Sequence, residues 1–288
     1  MTQRGCHRLF LRRIVGAGVL AVVGLQLMSC STTLQWGRRM SRTIEVVHSG
    51  ASAGEVFRAS THNGRLTITG EPSDVCRLTA TIEVRAASDS EAAMLVEQVD
   101  VRLERSEDGV QVVVEKPDLG WRQSVTVNLH ATIPAGMTAE LEAHNGRIRV
   151  NGVASAVGRT HNGGIEAVDL EGGADLQSHN GAIRCDNVPG PLRLNTHNGG
   201  VTARLPLAVE TDCVIRTRNG QIDLEVAAAF SGRVSARTRN GGIHSDVQVI
   251  VNGSVSKQSL EGVVGSGQGL LDLETRNGSI FIRTDEES

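Results

Sequence analysis

Four histidines recur at regular intervals in this chain, and they are the residues best placed to carry out chemistry. Each stands directly before an Asn-Gly pair, and the four are His144, His161, His179 and His197. Neutral imidazole binds divalent metals such as Zn²⁺ or Ni²⁺, and imidazole changes its charge between about pH 5 and pH 8. If the fold brings the four side chains together, they predict either a metal site or an acid-sensitive edge.

Arginine takes the same place before three later Asn-Gly pairs, at Arg218, Arg239 and Arg276. The turn itself therefore does not require histidine, and a solvated polar edge without a ligand is a third interpretation of the row. The sequence has no carboxylate that recurs at one fixed offset to complete a metal site. We accordingly assign no cofactor to this chain.

Catalytic patterns are weak in this sequence. The acids in the repeated region lie 7, 13, 6, 4 and 6 residues after an asparagine, so they do not form one carboxylate groove; they are Asp169, Asp175, Asp186, Asp223 and Asp246. The sequence contains no GxSxG or HExxH motif and no phosphate-binding glycine loop. It therefore predicts a protein that is not an enzyme, with a polysaccharide-processing β-helix enzyme as an alternative.

The first thirty residues have the features of an export signal. Four arginines and no acid precede an apolar run from Ile14 to Met28, which is too short and wrongly flanked for a membrane-spanning helix. The run ends in Leu27-Met28-Ser29-Cys30, which resembles the lipobox of bacterial lipoproteins. The resemblance implies cleavage before Cys30 and lipid attachment to its thiol. An ordinary signal peptide followed by an unmodified cysteine is the alternative.

The residues after the cysteine predict how the protein is held. Ser31, rather than Asp, follows Cys30. By resemblance to enteric lipoproteins, this residue implies the outer membrane instead of retention in the inner membrane. We expect residues 1–29 to be the signal peptide and residues 30–43 to be a lipidated tether at the cell envelope.

Charge and composition narrow the possible partners. Residues 1–29 contain four arginines and no acid, so the rest of the chain has 25 basic and 32 acidic residues, a net charge of −7. A nucleic-acid binder needs a basic face and usually aromatic platforms, but this chain has four Phe, two Trp and no Tyr. We expect no nucleic acid as a partner. The remaining candidates are a membrane, reached through the lipid, and an envelope polysaccharide or protein.

Three cysteines follow Cys30, and their spacing predicts neither a disulfide framework nor a zinc site. They alternate in phase with apolar neighbours, as expected of small core residues, and they are Cys76, Cys185 and Cys213.

One four-residue phrase, a His or Arg between a small residue and Asn-Gly, occurs eight times. Its asparagines are Asn63, Asn145, Asn162, Asn180, Asn198, Asn219, Asn240 and Asn277. From Asn145 to Asn240 the spacings are 17, 18, 18, 21 and 21 residues. Fixed periods near 20 residues are the signature of stacked repeat architectures.

Apolar residues alternate with polar ones on both sides of each Asn-Gly pair. The third and fifth residues after the asparagine are often apolar, as in Ile183 and Cys185, and so is the fourth residue before it, as in Leu176. This alternation predicts two half-buried strands per repeat, with a second turn marked by Gly or Pro. We expect an all-β single-chain solenoid of stacked two-strand rungs, each about 17–21 residues long. Because Asn-Gly is also a strong hairpin signal, an antiparallel meander is the competing fold.

In a solenoid, equivalent side chains lie above one another, about 4.8 Å apart. The eight asparagines are therefore expected to form a structural ladder in which amides hydrogen-bond from rung to rung. The small hydroxyl residues two places earlier should form a second row beside the turn; they include Thr160, Ser178, Thr196, Thr217 and Thr238.

The stretch from residue 71 to residue 140 breaks the repeat. Ser88-Asp89-Ser90-Glu91 predicts the start of a short helix that runs to about Val99, and three strand-like runs follow it. We expect residues 44–140 to hold the first rung or rungs and this helix-containing insertion. Residues 141–284 are then the solenoid repeats, and residues 285–288 are a polar tail.

The Asn-Gly turns, the helix insertion and the closing run Leu271–Gly278 together resemble the bacterial putative-adhesin domain family, whose function is unknown. The likeness covers about residues 44–284. It implies a non-catalytic β-solenoid at the cell envelope, and it supplies no ligand. We therefore predict an envelope lipoprotein whose adhesin-like ectodomain is a scaffold or binding surface. The alternatives are a metal-responsive or pH-responsive module that uses the histidine row, or the β-helix enzyme considered above.

Overall fold

The protein is a stack of β-strands with two faces. The structure is a computed structural model that describes residues 19–24, 38–205, 212–251 and 256–284. The described residues form two twelve-stranded sheets and one α-helix. In chain order the elements are β1 (Val19–Gly24), β2 (Arg38–Ser49), β3 (Val56–Asn63), β4 (Leu66–Glu71), β5 (Val75–Ala86), α1 (Asp89–Gln98), β6 (Asp100–Ser106), β7 (Gly109–Glu115), β8 (Ser124–Pro134), β9 (Thr138–Asn145), β10 (Ile148–Asn151), β11 (Ser155–Asn162), β12 (Ile165–Val168), β13 (Ala174–Asn180), β14 (Ile183–Asp186), β15 (Leu192–Asn198), β16 (Val201–Arg204), β17 (Asp212–Asn219), β18 (Ile222–Val226), β19 (Gly232–Asn240), β20 (Ile243–Ser245), β21 (Ile250–Val251), β22 (Ser259–Val264), β23 (Gly269–Asn277) and β24 (Ile280–Thr284).

Each repeat contributes one strand to each sheet. Sheet A runs in the order β1-β2-β5-β8-β4-β10-β12-β14-β16-β18-β24-β20, and sheet B in the order β21-β22-β19-β23-β17-β15-β13-β11-β9-β3-β7-β6. Neighbouring repeat strands are parallel and in register, so Asn180 pairs with Asn162 on one side and with Asn198 on the other. This parallel pairing confirms the predicted all-β solenoid and excludes the antiparallel meander.

The core lies between the two sheets and is filled by the alternating apolar residues. Leu176 on sheet B and Ile183 on sheet A are both fully buried, as are their equivalents in adjacent rungs. At the corner opposite each Asn-Gly turn, further apolar side chains enter the same core: Val153, Leu170, Val188 and Leu205. Each rung is therefore closed at both ends by buried side chains and backbone turns.

The insertion extends both sheets beyond the first rung. In sheet A, β8 runs parallel to β4, and β5 then pairs antiparallel with both β8 and β2. In sheet B, β7 runs parallel to β3 and β6 pairs antiparallel with β7. Helix α1 packs against β2 and β5 and buries Ala92, Leu95 and Val96. The stack thus carries a thicker, mixed segment at its N-terminal end.

The start of the helix matches the predicted capping box. The Ser88 hydroxyl accepts a hydrogen bond from the backbone N–H of Glu91 at 3.2 Å. In return, a Glu91 carboxylate oxygen accepts one from the backbone N–H of Ala87 at 2.9 Å. These bonds satisfy one N–H group of the first helical turn and the N–H group of the residue before the cap.

The C-terminal rungs do not stack in chain order. Strand β23 lies between β17 and β19, and β24 lies between β18 and β20. The rung formed by residues 269–284 therefore lies between the rung of residues 212–226 and the rung of residues 232–245. Strands β21 and β22 pair antiparallel on the outer side of β19.

Two observations concern the expected signal peptide and tether. Residues 19–24, inside the expected signal peptide, form β1, which pairs antiparallel with residues 43–48 of β2. Strand β2 begins at Arg38, so residues 38–43 of the expected tether belong to sheet A. Cys30 and residues 25–37 lie outside the described residues. Within the described ranges, no helix has the length and apolarity needed to cross a membrane.

Candidate surface along the Asn-Gly edge

The asparagine side chains form one continuous line of hydrogen bonds along the stack. In each step, the amide nitrogen of one Asn donates to the amide oxygen of its neighbour, over 2.6–2.9 Å. The line runs Asn63, Asn145, Asn162, Asn180, Asn198, Asn219, Asn277, Asn240. Chain order would place Asn240 beside Asn219, but Asn277 lies between them because the last rung inserts there.

The glycine after each asparagine is required by close stacking. A Cβ atom on Gly181 would lie 2.0 Å from the carbonyl oxygen of Gly163, and one on Gly199 would lie 2.2 Å from that of Gly181. Hairpin geometry would instead have required positive φ at the Asn and the Gly. Among the eight glycines of the Asn-Gly pairs, all of them described, only Gly64 and Gly278 have a positive φ in the sterically restricted range. The Asn-Gly pair is therefore a stacking motif in this protein.

Small hydroxyl residues secure the same turn from inside. The Ser178 hydroxyl donates to the carbonyl oxygen of Gly163 at 2.9 Å, and that of Thr196 donates to Gly181 at 2.8 Å. Equivalent bonds join Thr160, Thr217, Thr238 and Thr275 to glycines of adjacent rungs. All six hydroxyl residues are buried. Because each hydroxyl satisfies a carbonyl at the rung corner, the corner is rigid and well defined.

The structure brings the four predicted histidines together and adds a fifth. Adjacent imidazole rings along the line stack face to face with centroid separations of 4.7, 5.0, 4.7 and 4.8 Å. The five rings are those of His62, His144, His161, His179 and His197. The sequence prediction omitted His62 because its rung is separated in the chain by the insertion. Its place before Asn63 in the same phrase was the signal that could have identified it.

Arginines continue this line at its other end. After His197 come Arg218, Arg276 and Arg239, in the spatial order β17, β23, β19. We call these eight side chains the His-Arg row: His62, His144, His161, His179, His197, Arg218, Arg276 and Arg239. The Arg218 Nη1 atom lies 3.4 Å from Nε2 of His197, which joins the two halves of the row.

The arginines of the His-Arg row differ from neighbouring arginines in their partners. Two residues earlier on the same strands, Arg216 pairs with Asp272 at 3.1 Å, and Arg237 pairs with Glu261. Within the described ranges, the guanidinium groups of Arg218, Arg276 and Arg239 form no ion pair. The outer edge therefore keeps its positive charge, whereas the adjacent face is largely neutralised.

A shallow groove runs beside the His-Arg row on the outside of sheet B. Its first part is lined by His144, His161, His179 and His197 together with Glu142, Arg159, Gln177 and Asn195. It continues past Asn195 to residues Arg216, Arg218, Glu274 and Arg276. The groove is open to solvent and polar. Amide, guanidinium and imidazole groups are thus presented in parallel rows.

The nitrogens of the stacked imidazole rings do not meet at one point where a metal ion could bind. Parallel rings nearly 5 Å apart hold equivalent nitrogens at about the same separation, whereas two Zn–N bonds placed in line span about 4.2 Å. Among the described residues, no three His, Cys, Asp or Glu side chains form a group that could hold a metal. Metal binding by His144, His161, His179 and His197 would therefore require the rings to turn out of their stack.

Acid changes the charge of this edge. Loss of hydration lowers the pKa of His197 below its ordinary value, and the positive charge of Arg218 and of His179 lowers it further. If all five imidazoles were protonated, unit charges spaced about 4.8 Å apart would repel by about 0.9 kcal/mol for each adjacent pair at the dielectric constant of water. The neutral row stacks without this cost, so acid makes the edge both more cationic and less stable unless anions bind.

The three cysteines of the described residues lie in the core, as predicted. Cys76, Cys185 and Cys213 are all buried and free. Burial raises the pKa of Cys76 and that of Cys213 to about 12, so both thiols stay protonated at neutral pH. They pack as small apolar side chains and take no part in the surface described above.

Comparisons with known proteins show distant likeness to three solved bacterial structures. The first is described as a putative cell adhesion protein from Clostridium sporogenes; it is 9% identical with a TM-score of 0.33, and the match covers 86% of this chain and 100% of that one. The second, a putative adhesin from Bacteroides fragilis, is 9% identical with a TM-score of 0.28, over 86% and 97% of the two chains. The third, a putative adhesin from Parabacteroides distasonis, is 8% identical with a TM-score of 0.31, over 85% and 97%.

No family model and no curated protein matches the sequence. At such low identity and TM-score, the three solved structures carry no argument about what this protein binds. The functional argument therefore rests on the chain itself.

Proposed function

We propose that this protein is a lipid-anchored component of the bacterial cell envelope whose solenoid is a non-catalytic, adhesin-like binding surface. The observation that carries the proposal is the His-Arg row, an exposed line of eight side chains held at fixed spacing by the asparagine ladder. A backbone that is hydrogen-bonded on both sides, rung after rung, holds such a surface rigid without further support. Rigidity of this kind lowers the entropic cost of binding an extended ligand.

The anchoring part of the proposal rests on Cys30 and on where β2 begins. Arg38 is the eighth residue after Cys30, so the covalent chain can hold the two no more than about 29 Å apart. A lipid on Cys30 would therefore keep the thicker N-terminal end of the stack close to the bilayer. The repeats would then extend from that end.

Cleavage before Cys30 would also remove β1. Strand β2 would then be the edge of sheet A, with a row of backbone groups open to solvent. Its first residues include Arg38, Arg39 and Arg42. Charged side chains on an edge strand discourage pairing between copies, so the processed protein would still be protected against edge-to-edge aggregation.

The test of anchoring is a pair of matched cysteine substitutions. Wild-type protein should be processed, should incorporate labelled palmitate and should fractionate with membranes. Cys30→Ala should lose all three properties. Cys6→Ala should behave as wild type, because Cys6 lies in the segment that cleavage removes. Palmitate labelling that persists in Cys30→Ala would show that the anchor is elsewhere.

The choice of membrane has its own test. Density-gradient separation of inner and outer membranes should place the wild-type protein in the outer membrane. Ser31→Asp should move it to the inner membrane, because by resemblance to enteric lipoproteins an acid at this position favours retention there. An unchanged distribution would remove the basis for the outer-membrane assignment.

The non-catalytic part is tested by separating binding from turnover. Full-length protein in mild detergent is incubated with acidic and neutral polysaccharides, and both the retained protein and the newly formed reducing ends are measured. We expect retention on a ligand without release of reducing ends. Time-dependent release would instead support the enzyme alternative.

A further inference from the structure

The His-Arg row has the properties of an anion-binding track. Its members occupy one offset in eight successive rungs, and no carboxylate occurs at that offset. Neighbouring imidazole rings lie 4.7–5.0 Å apart, so the five histidines are evenly spaced along the stack. The three arginines have no ion-pair partner among the described residues. An extended anion could therefore contact many rungs at once.

We propose that the His-Arg row binds a linear acidic polysaccharide along the axis of the stack, and that acid strengthens this binding. The inference deepens the proposed function, on which it rests, by naming the site and the chemical class of its ligand. The arginines supply permanent charge at one end. The five imidazoles add further positive charge when they are protonated.

The groove beside the row favours a polysaccharide over other polyanions. Gln177 and Asn195 line it and offer amide donors and acceptors to sugar hydroxyl groups. Single-stranded nucleic acid is usually held by large aromatic platforms on which bases stack, and the row contains no Phe, Tyr or Trp. The large apolar side chains that are exposed in the described residues, Met94, Leu119, Trp121 and Ile250, are outside the row, so the row offers no apolar contact to a bilayer.

The asparagine ladder bounds the other side of the row. Its amides are committed to one another, with each nitrogen donating to the next oxygen along the line. They therefore form a neutral wall that neither repels an anion nor competes for it. The charged groups of an anionic ligand would therefore contact the imidazole and guanidinium groups and not the asparagine amides.

Several charged groups lie near the row. On or beside the histidine-bearing strands, Glu142 and Arg159 lie two residues before the row, and Arg65 and Arg147 follow Asn-Gly turns. On the arginine-bearing strands, Arg216 pairs with Asp272 and Glu274, and Arg237 pairs with Glu261. Arg218 adjoins His197 directly. Desolvation, together with the positive charge of Arg218 and His179, lowers the pKa of His197. A bound polyanion favours the charged form of a nearby imidazole, so binding and proton uptake are coupled.

The first experiment measures affinity with a defined probe. Full-length protein in nonionic detergent is titrated with polygalacturonate fragments at pH 7.5 and pH 5.5, and with neutral dextran of equal length. We expect binding to polygalacturonate only, about tenfold tighter at pH 5.5, and weakened by added salt. Equal binding of dextran would overturn the proposal, and so would tighter binding of an oligodeoxythymidylate of the same length.

One triple variant and one matched control locate the binding. The triple variant R218Q/R276Q/R239Q should bind about tenfold more weakly at both pH values. The control R149Q/R184Q/R283Q removes the same charge from the outer face of sheet A and should bind as wild type. The proposal is wrong if both triple variants lose affinity equally, because net charge alone would then explain the binding.

The histidines have a separate readout. Calorimetric titration at pH 6.5 in buffers with different ionisation heats gives the number of protons taken up on binding. Wild-type protein should take up protons, whereas the variant in which His62, His144, His161, His179 and His197 are all Gln should take up none and should lose the acid enhancement. Proton uptake that survives in this variant would assign the acid effect to other groups.

These outcomes are distinguishable from failure of the proposed function. If polygalacturonate does not bind but Cys30 is still lipidated and a different envelope ligand is retained, only the ligand assignment fails. If the Cys30 tests fail while polygalacturonate binds with the expected variant pattern, the His-Arg row is still an anion-binding site and only the lipid-anchor assignment is wrong.

Discussion

At the residue scale, each position of the Asn-Gly turn meets one physical demand. The asparagine amide has both a donor and an acceptor, so a column of identical residues can satisfy itself along the stack. The glycine leaves room for the carbonyl of the neighbouring rung, and the buried Ser or Thr hydroxyl satisfies that carbonyl. Repetition of the phrase is therefore a direct consequence of stacking.

Two glycine substitutions should separate steric contact from ordinary glycine effects. Gly181→Ala places a Cβ 2.0 Å from a backbone oxygen, and we expect a loss of about 3 kcal/mol or more in the free energy of unfolding. Gly200→Ala is the matched control, since its nearest atom is 3.3 Å away and Ala182 occupies the equivalent place in the preceding rung. Its cost should be below about 1 kcal/mol in urea unfolding. Equal losses would contradict the stacking explanation.

The junction of the His-Arg row gives a pH prediction. Because Arg218 helps to lower the pKa of His197, Arg218→Gln should raise that pKa, although desolvation and His179 still hold it down. The imidazole Cε1–H resonance measures the change directly. Since the folded-state pKa lies below the unfolded value of about 6.5, stability from this group is present above pH 6.5 and is lost as the pH falls through the folded-state pKa.

The same variant should lessen the loss of stability in acid, measured as the urea midpoint at pH 8 and at pH 5. His130, on β8, is outside the row, so His130→Gln provides a histidine control that leaves the pKa of His197 in place. An unchanged His197 titration in Arg218→Gln would show that the guanidinium does not act on this imidazole.

At the element scale, the most consequential feature is the insertion of the last rung. Strand β19 pairs with β23 and β22, and β23 is its only link to the rest of sheet B among the described strands. The same holds in sheet A, where β20 pairs with β24. We therefore expect the rung formed by residues 232–245 to join the stack only when residues 269–284 are in place.

Removal of the last rung tests this order. A chain that ends at residue 268 should keep the stack from β3 to β18 but release the rung above it. We expect the amides of β19 to exchange with solvent roughly a thousandfold faster than in the full chain, while those of β11 keep their protection. Retained protection in β19 would mean that it can pair directly with β17.

At the scale of the whole molecule, the stack is continuous from the insertion to the last rung. With twelve strands in each sheet, spaced about 4.8 Å apart, it extends over about 50 Å. One hydrophobic core runs through it and includes residues of the helix, the insertion and every rung. No described disulfide reinforces this core, since all three described cysteines are free.

The buried thiols report on the integrity of the whole stack. Cys76, Cys185 and Cys213 are at most 1% exposed and protonated at neutral pH, so a thiol reagent should label them only after unfolding. Labelling followed by peptide mass spectrometry identifies each site, and the labelling midpoint in urea should coincide with loss of β-sheet signal. Rapid labelling of Cys185 in the folded protein would show that the rung around it opens separately.

The sequence by itself determined the rung, the ladder residues and the capped helix. Each follows from a local pattern, namely period-two apolar alternation, a phrase that repeats every 17–21 residues, and the Ser88 capping box. Such patterns act between near neighbours or between copies of one motif, so they can be recognised without knowing the fold. The sequence did not show why glycine must follow each asparagine, because the backbone atom that a Cβ would meet belongs to another rung.

Only the tertiary structure decided which rungs are neighbours. Every rung offers the same ladder, apolar rows and turn, so one rung can stack on another irrespective of chain order. The connections then place Asn277 between Asn219 and Asn240 and bring His62 beside His144. The charge of the surface also depends on the stack, because an ion pair between rungs neutralises Arg216, whereas Arg218 has no ion pair among the described residues. Residue types follow from the repeat, but their electrostatic environment follows from the stack.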